Sequence, residues 1–232
     1  MGGGSGASTT IEVERKFSLD VSVDELRARV ESCGGREQGN VEFTDTYYDT
    51  PGCVLASSDV WLRARDDAWE IKLPVPGDER RSGGERSVFR EVEGPAATLR
   101  ELLAVLDDAP PPENPASRED DDPAAADAAL RDAMEAREVR PFATFSTRRA
   151  KFRLDDAVVD VDAASFGHVV VEVEVLCAAA AEIPAAEAKV RDVARRLGLS
   201  PMEHSGGKLE TFIRRNRPAH LEALVAAGFL EP

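Results

Sequence analysis

The stretch that decides the fold is residues 11–17, Ile11-Glu12-Val13-Glu14-Arg15-Lys16-Phe17. In an extended strand, side chains two positions apart lie on the same face. Glu12, Glu14 and Lys16 therefore share one face, while the intervening positions are mostly apolar. A strand with one buried face normally hides its apolar side and shows a mixed polar side to solvent. Here the polar face is ionic throughout, which is unusual for a solvent-facing strand.

The same alternation recurs along the chain. It appears in seven further groups of residues: Asp45, Tyr47 and Asp49; Trp61, Arg63 and Arg65; Glu70 and Lys72; Glu91 and Glu93; Arg149, Lys151 and Arg153; Asp160 and Asp162; Glu172 and Glu174. Many of these groups repeat acid-x-acid or base-x-base, whereas a solvent face mixes Ser, Thr, Gln and Lys. The sequence therefore predicts about eight short strands, each with one charged face.

Two architectures are compatible with this pattern. One is a set of ordinary strands whose charged faces meet solvent. The other, which we favour, is an α+β fold: an eight-stranded antiparallel β-barrel with a polar lumen, its apolar outside covered by helices. Closure removes the sheet edges, and acids and bases that line one lumen partly neutralise each other. Helix signals lie between the strands, including a capping box at 22–25 and prolines at positions 95, 123, 184 and 218.

Composition excludes several classes of function. The 232 residues carry 44 Asp and Glu against 29 Lys and Arg, a net charge of −15 that repels nucleic acid and anionic lipid. No apolar run is long enough for a membrane span, and the N-terminus lacks the features of a signal peptide. We expect a cytoplasmic monomer whose partner is a small molecule. The three cysteines, Cys33, Cys53 and Cys177, have no C-x-x-C spacing, which argues against a disulfide framework or a thiolate zinc site.

The charged faces predict the chemistry of the lumen. Two E-x-E pairs and the pair Asp160 and Asp162 offer hard carboxylate oxygens, which favour Mg²⁺, with Mn²⁺ as the alternative. The bases include arginines, whose guanidinium groups match phosphate oxygens two at a time. A free triphosphate carries a charge of about −4. A shell of several basic side chains, assisted by a bound metal ion, supplies enough positive charge to balance it. The chain has no Walker A sequence, so side chains would hold the phosphates.

Several segments, in order, resemble the CYTH superfamily of triphosphate tunnel enzymes, and most closely its thiamine triphosphatase branch. The E-x-E-x-K signature at 12–16 is weak alone, but other motifs accompany it. These are Thr44-Asp45-Thr46-Tyr47-Tyr48-Asp49-Thr50-Pro51, Trp61-Leu62-Arg63-Ala64-Arg65, Trp69-Glu70-Ile71-Lys72-Leu73-Pro74, residues 159–167, Glu172-Val173-Glu174 and Lys208-Leu209. The resemblance covers residues 11–218 and implies one tunnel domain, preceded by a flexible tail at 1–10 and followed by a C-terminal helix at 219–232.

The resemblance also implies roles for matching residues. The expected metal-binding residues are Glu12, Glu14, Asp160, Glu172 and Glu174. The expected triphosphate-binding residues are Lys16, Arg63, Arg65, Arg149 and Lys208. Glu91 matches a tunnel carboxylate that orders bases or a second metal. Lys72 and Tyr47 match residues that help to activate water, and we expect Arg63 and Arg65 to depress the pKa of Lys72. Trp61 matches the residue on which the thiamine rings stack, the alternative being a core tryptophan.

The resemblance implies Mg²⁺-dependent hydrolysis of thiamine triphosphate to thiamine diphosphate and phosphate. The alternatives are an inorganic tripolyphosphatase, an adenylyl cyclase, and a non-catalytic module that binds polyphosphate or a similar anion. Two segments depart from the family pattern, at 75–86 and at the acidic, proline-rich loop 107–127. We interpret that loop as a solvated spacer inserted in the domain, and a functional acidic loop as the less favoured reading.

Overall fold

A computed structural model describes residues 10–75, 86–107, 122–202 and 206–231 of the chain. The strands are β1 Thr10–Ser18, β2 Arg36–Asp49, β3 Trp61–Arg65, β4 Ala68–Pro74, β5 Arg86–Glu93, β6 Arg140–Leu154, β7 Ala157–Ala164, β8 His168–Cys177 and β9 Ser200–Pro201. The helices are α1 Val23–Ser32, α2 Pro95–Leu106, α3 Pro123–Ala136, α4 Ile183–Leu197, α5 Lys208–Asn216 and α6 Pro218–Ala226. The expected tail before Thr10 and residues 108–121 of the acidic loop lie outside the described residues.

The strands close into a barrel. Their order is β5-β4-β3-β2-β6-β7-β8-β1, and an additional pairing of β5 with β1 closes the circle. Every pairing is antiparallel, and the two-residue β9 adds beside the end of β1. The predicted α+β fold with an eight-stranded antiparallel barrel is therefore confirmed.

The register places the charged faces of all strands on the same side of the sheet. Residues directly opposite each other on paired strands share a face. The pairs that link the strands around the barrel are Glu14 with Glu174, Glu172 with Asp160, Asp162 with Arg149, Asp45 with Arg65, Arg63 with Glu70, and Lys72 with Glu91. Because these pairs include residues of all eight barrel strands, the ionic rows that the sequence predicts face one lumen.

The apolar faces point outward and are covered by helices. Helices α1 and α4 cover one side of the barrel, where Leu26 and Val190 pack in one cluster with Val13, Phe152 and Val173. Helices α2 and α3 cover the strands β3 and β4 in a second cluster. Helices α5 and α6 pack in a third cluster, which includes the lumen-facing residues of β2 and β6 at one end of the barrel.

Local signals explain where the helices begin and end. The hydroxyl of Ser22 accepts a hydrogen bond from the N–H of Glu25 at 3.2 Å and caps α1, as its capping box predicts. Helix α4 ends at Gly198, whose φ of 63° lies in the left-handed region that glycine adopts easily. The predicted C-terminal helix begins at Pro218 and ends at Ala226. Within the described residues, no helix has the length and apolar character that a membrane crossing requires.

The outward packing can be tested with a matched pair of substitutions in strands. Leu62 is fully buried on the outer face of β3, whereas Leu176 on β8 is 56% exposed. Leu62→Ala should lower the free energy of unfolding by about 2–5 kcal/mol, because it leaves a cavity under α2 and α3. Leu176→Ala should cost far less. Urea denaturation measures both, and equal losses would contradict the assignment of β3's apolar face to a packed exterior.

Candidate functional site

The lumen collects acids and bases from all eight strands and from α5. The acids are Glu12, Glu14, Asp45, Glu70, Glu91, Asp160, Asp162, Glu172 and Glu174. The bases are Lys16, Arg63, Arg65, Lys72, Arg149, Lys151 and Lys208. All of the predicted metal-binding and triphosphate-binding residues therefore lie in one space, where they form three connected groups. Each group contains both signs of charge, which makes its burial tolerable.

The first group is a cluster of carboxylates from β1 and β8. Each of Glu12, Glu14 and Glu174 offers an oxygen, and these oxygens lie within 4.8 Å of one another. Burial raises the pKa of Glu174 well above its usual range, and the charges of Glu12 and Glu14 raise it further. Glu174 also shares a hydrogen bond with Glu12. Three hard oxygen ligands that repel one another when ionised fit a divalent cation, which would relieve that repulsion.

Two lysines contact this cluster. The ammonium group of Lys72 lies 2.5 Å from a carboxylate oxygen of Glu12 and 2.5 Å from one of Glu91, and Lys16 pairs with Glu14. Burial alone would raise the pKa of Glu12, but Lys72 and the hydrogen bonds lower it below its usual range. For Glu91, burial and the neighbouring acids outweigh Lys72 and raise the pKa to about 7.

The expected depression of the Lys72 pKa is wrong for the structure as it stands. Burial alone would lower that pKa, but Glu12 and Glu91 outweigh burial and the repulsion from Arg63, and they raise it well above its usual value. The reason is geometric, since the register places Lys72 directly opposite Glu91. Lys72 is therefore held as a cation rather than as a free amine.

The second group surrounds Arg149 on β6. Its guanidinium group contacts Asp162 through two hydrogen bonds of 2.6 Å and Glu172 at 2.9 Å. A third carboxylate, Asp160, faces it at 2.5 Å as an ion pair, without hydrogen-bond alignment to any described residue. Burial raises the pKa of Asp160 to about 6, although Arg149 opposes this. Lys208, the first residue of α5, pairs with Asp162 and with Glu172 at 2.7 Å. Asp162 thus holds the two cations together.

The third group lies on β2, β3 and β4. Arg63 pairs with Glu70 at 2.7 Å, and Arg65 pairs with Asp45 at 2.8 Å. Arg63 also donates a hydrogen bond of 3.3 Å to the hydroxyl oxygen of Tyr47. Burial alone would raise the pKa of Asp45, but the arginines lower it. Two guanidinium groups thus lie side by side on β3, each held by a carboxylate from a neighbouring strand.

Aromatic side chains line one end of the lumen beside these arginines. The Tyr47 ring stacks on Phe145 with centroids 5.9 Å apart, and Phe145 contacts Phe212 of α5 at 5.5 Å. Trp61 packs against this cluster and is only partly buried, and its indole N–H donates to Asp59 at 3.1 Å. Its register partner is Lys72, so the ring stands on the lumen side of β3. The ring thus faces the lumen and also packs against an apolar core cluster, and its stacking role stays a prediction.

The site residues that the resemblance implies leave out three acids that organise the bases. These are Asp162, Asp45 and Glu70, which hold Arg149 with Lys208, Arg65 and Arg63 respectively. Their i, i+2 spacing with other charged residues was the sequence signal that could have identified them.

Another residue that the sequence analysis missed is Gly207, where an added Cβ would lie 2.9 Å from Cε of Lys16. A glycine here lets the start of α5 approach that lysine.

The family of the chain follows from comparison with known proteins. The CYTH domain model matches residues 10–205. The chain therefore belongs to the CYTH domain family. Its fold also resembles solved structures at low identity, including a protein from Pyrococcus horikoshii (18% identical, TM-score 0.56, covering 88% of this chain and 99% of that one). A candidate adenylate cyclase from Vibrio parahaemolyticus is similar in fold (13% identical, TM-score 0.56, 89% and 99% covered).

Similarity to characterised relatives indicates which kind of enzyme within the CYTH family the chain resembles. The chain is 33% identical over 229 residues to the thiamine-triphosphatase of Macaca fascicularis, covering 94% of this chain and 91% of the relative. It is 32% identical over 229 residues to the thiamine-triphosphatase of Homo sapiens, with the same coverage. This similarity confirms the expectation of a thiamine-triphosphatase-like phosphoanhydride hydrolase.

The structural role of the buried charges can be tested with one substitution at two positions. Asp162 is fully buried between Arg149 and Lys208, whereas Asp156 makes a single, exposed pair with Lys189. Asp162→Asn should lower the free energy of unfolding by about 3–5 kcal/mol, because it leaves two buried cations short of one partner. Asp156→Asn should have little effect. Thermal and urea unfolding report both, and an unchanged stability of Asp162→Asn would show that its charge does not hold the lumen together.

Proposed function

We propose that this chain is a divalent-metal-dependent hydrolase that cleaves the terminal phosphoanhydride bond of thiamine triphosphate. The products are thiamine diphosphate and phosphate. The observation that carries the proposal is the placement of a three-carboxylate cluster and a shell of bases in one closed lumen. The curated relatives named thiamine-triphosphatase support the choice of substrate.

The metal would be held by acids at the β1–β8 side of the lumen. Glu12, Glu14 and Glu174 are the central ligands we propose, with Asp160 and Glu172 completing the shell directly or through water. Mg²⁺ suits these oxygen ligands, and Mn²⁺ is the alternative. A bound divalent cation would neutralise charge on the phosphoryl oxygens. The raised pKa values of Glu174 and Asp160 support this assignment, because each carboxyl is buried beside other acids without enough positive charge to ionise readily.

The triphosphate would be held by five bases that the structure places around the lumen: Lys16, Arg63, Arg65, Arg149 and Lys208. In the structure each of these cations is paired with at least one carboxylate. The arginines present planar donors that can contact a phosphate while keeping one carboxylate contact. The acids would thus hold the bases in position for the substrate, so that few side chains need to be ordered when it binds.

Hydrolysis requires a water molecule aligned with the terminal phosphorus. The water oxygen forms a bond to that phosphorus while the bridging P–O bond breaks. Tyr47 accepts a hydrogen bond from Arg63, and its own O–H donates to none of the described residues, so we propose that it orients water. Lys72 is held as a cation by Glu12 and Glu91, so we propose that it stabilises charge on the transferring group rather than removing a proton in this state. Glu91 would act by positioning Lys72.

Trp61 would distinguish thiamine triphosphate from other triphosphates. Its ring stands on the lumen side of β3, two residues before Arg63, among the aromatic side chains at one end of the barrel. A flat, cationic organic group stacks favourably on such a ring. Inorganic tripolyphosphate would bind the same bases but has no organic group to stack on Trp61. Because the bases alone could hold it, an inorganic tripolyphosphatase is the second candidate function. A phosphate-release screen across thiamine, nucleoside and inorganic triphosphates separates these substrates.

The metal assignment predicts the effect of neutral, isosteric substitutions. Glu12→Gln and Glu174→Gln should each reduce turnover by at least about tenfold, equivalent to about 1.4 kcal/mol in the barrier. They should also weaken Mn²⁺ binding measured by calorimetry. The control is Glu42→Gln, since Glu42 is exposed on β2. Near-normal metal-dependent rates in both lumen variants would overturn the assignment, and tight metal-independent binding of tripolyphosphate without phosphate release would favour the non-catalytic module.

The specificity assignment predicts a selective loss. Trp61→Ala should lower kcat/KM for thiamine triphosphate by about tenfold or more, because stacking is lost, and should change kcat/KM for tripolyphosphate much less. Trp61→Phe should recover part of the preference. Rates for both substrates with all three proteins provide the measurement. If Trp61→Ala leaves the ratio of the two kcat/KM values unchanged, stacking on Trp61 is not the source of specificity.

A further inference from the structure

A second group of metal-binding side chains lies apart from the carboxylate cluster of the lumen. It consists of Asp49 at the end of β2, Cys53 in the connection to β3, and His220 on α6. A carboxylate oxygen, a thiol sulfur and a ring nitrogen of these three residues lie within 4.8 Å of one another. Asp49 is 3% and Cys53 5% exposed, and the His220 side chain is 11% exposed. None of the roles proposed for the hydrolase uses these residues.

Asp49 is fixed in place by the backbone that follows it. One carboxylate oxygen accepts hydrogen bonds from the N–H groups of Thr50 at 2.7 Å and Leu55 at 2.9 Å. The other, Oδ2, accepts one from Ala56 at 3.0 Å. That same Oδ2 lies 3.7 Å from Nε2 of His220, which is too long for a hydrogen bond. The gap between the two atoms is therefore held open by a rigid loop.

The ring of His220 is equally constrained. It stacks on Phe142 with centroids 4.0 Å apart and an interplanar angle of 16°. Its Nε2 atom is buried, and within the described part of the chain it has no hydrogen-bond partner. Buried polar atoms are nearly always satisfied, so an orphan of this kind requires an explanation. A nitrogen that lies within 4.8 Å of a carboxylate oxygen and a thiol sulfur, and that forms a hydrogen bond to no described residue, is suited to a shared ion.

Cys53 completes the group from a strained position. Its φ of 54° lies in the left-handed region, which is costly for a residue with a Cβ. The loop is nevertheless fixed there by hydrogen bonds from the Cys53 N–H to Thr50 and from the Ser57 N–H to Cys53. This conformation brings the sulfur within reach of both other ligand atoms.

We propose that Asp49, Cys53 and His220 form a second metal site that binds Zn²⁺, with water as the fourth ligand. A nitrogen and an oxygen ligand on a tetrahedral zinc ion lie about 3.3–3.5 Å apart, given metal–ligand bonds of about 2.0–2.2 Å. The 3.7 Å between His220 and Asp49 is close to this spacing. A sulfur and an imidazole ligand select zinc over magnesium, which prefers oxygen. The absence of C-x-x-C spacing does not bear on this site, because the fold joins residues 49 and 53 to residue 220.

The bound ion would tie α6 to the connection between β2 and β3. Cys53 and Leu224 of α6 already belong to the same apolar cluster, against which Trp61 packs. The ion would therefore fix the aromatic end of the barrel. This consequence stands whether or not the hydrolase proposal is correct.

Cobalt titration of the 232-residue chain tests the site, because the absorption spectrum of bound Co²⁺ depends on its ligands. A thiolate ligand gives a near-ultraviolet charge-transfer band, and tetrahedral coordination gives strong visible bands. The carboxylates of the lumen can give no sulfur band. We expect one equivalent of Co²⁺ to produce both signals and one equivalent of Zn²⁺ to abolish them. Cys53→Ser should remove the sulfur band, and His220→Gln should weaken Zn²⁺ binding by about tenfold or more.

Two controls separate this site from other metal binding. Cys33→Ser removes a half-buried thiol elsewhere in the chain and should leave both signals intact. Glu12→Gln alters the lumen cluster and should also leave them intact. Absence of a sulfur band in the unsubstituted protein at saturating Co²⁺ would overturn the proposal, even if the variants fail to fold. So would a band that survives Cys53→Ser or disappears in Cys33→Ser.

Discussion

Each base in the lumen is held by a carboxylate from a neighbouring strand or from its own, and this pairing allows a barrel with an ionic interior to fold. Removing charges from water costs several kcal/mol per ion unless geometry and hydrogen bonding compensate. Arg149 shows how the compensation is achieved, since Asp162 and Glu172 reach it from β7 and β8. Barrel closure is essential here, because an open sheet would leave β1 and β5 as unpaired edge strands and would separate the charged side chains of β1 from those of β5. The helices then have only apolar faces to cover.

The fold could be predicted because its main signal is local. Whether Glu12 and Glu14 share a face depends only on the two-residue period of a strand, which no distant residue alters. The same holds for Arg63 with Arg65, and the structure places all four in the lumen. The strand order was less accessible, since β5 pairs with β1 and β2 with β6 across long stretches of chain. Neither the periodicity nor the family resemblance led us to predict a strand order.

Electrostatics could not be predicted in the same way, because it depends on partners that only the register defines. Lys72 was expected to be crowded by Arg63 and Arg65, but its nearest charges are Glu12 and Glu91, so the pKa shift has the opposite sign. The contacts of Asp162 with both Arg149 and Lys208 could not be predicted for the same reason. Lys208 lies on α5, far from Asp162 in sequence, and only the tertiary fold brings the two together. Side-chain type and spacing identify which residues enter a site, whereas tertiary neighbours decide their charge state.

Charge balance connects this lumen to its need for a cation. Among the described residues, nine acids and seven bases line the lumen, so the lumen carries a formal surplus of negative charge. A triphosphate adds about four more negative charges. The bases alone cannot neutralise both their own carboxylates and the substrate. A divalent cation at Glu12, Glu14 and Glu174 would offset part of this surplus in the group where acids most outnumber bases. The arginines of β3 and β6 could then contact the phosphates. Metal and substrate would then favour each other's binding, since each relieves the repulsion that the other meets.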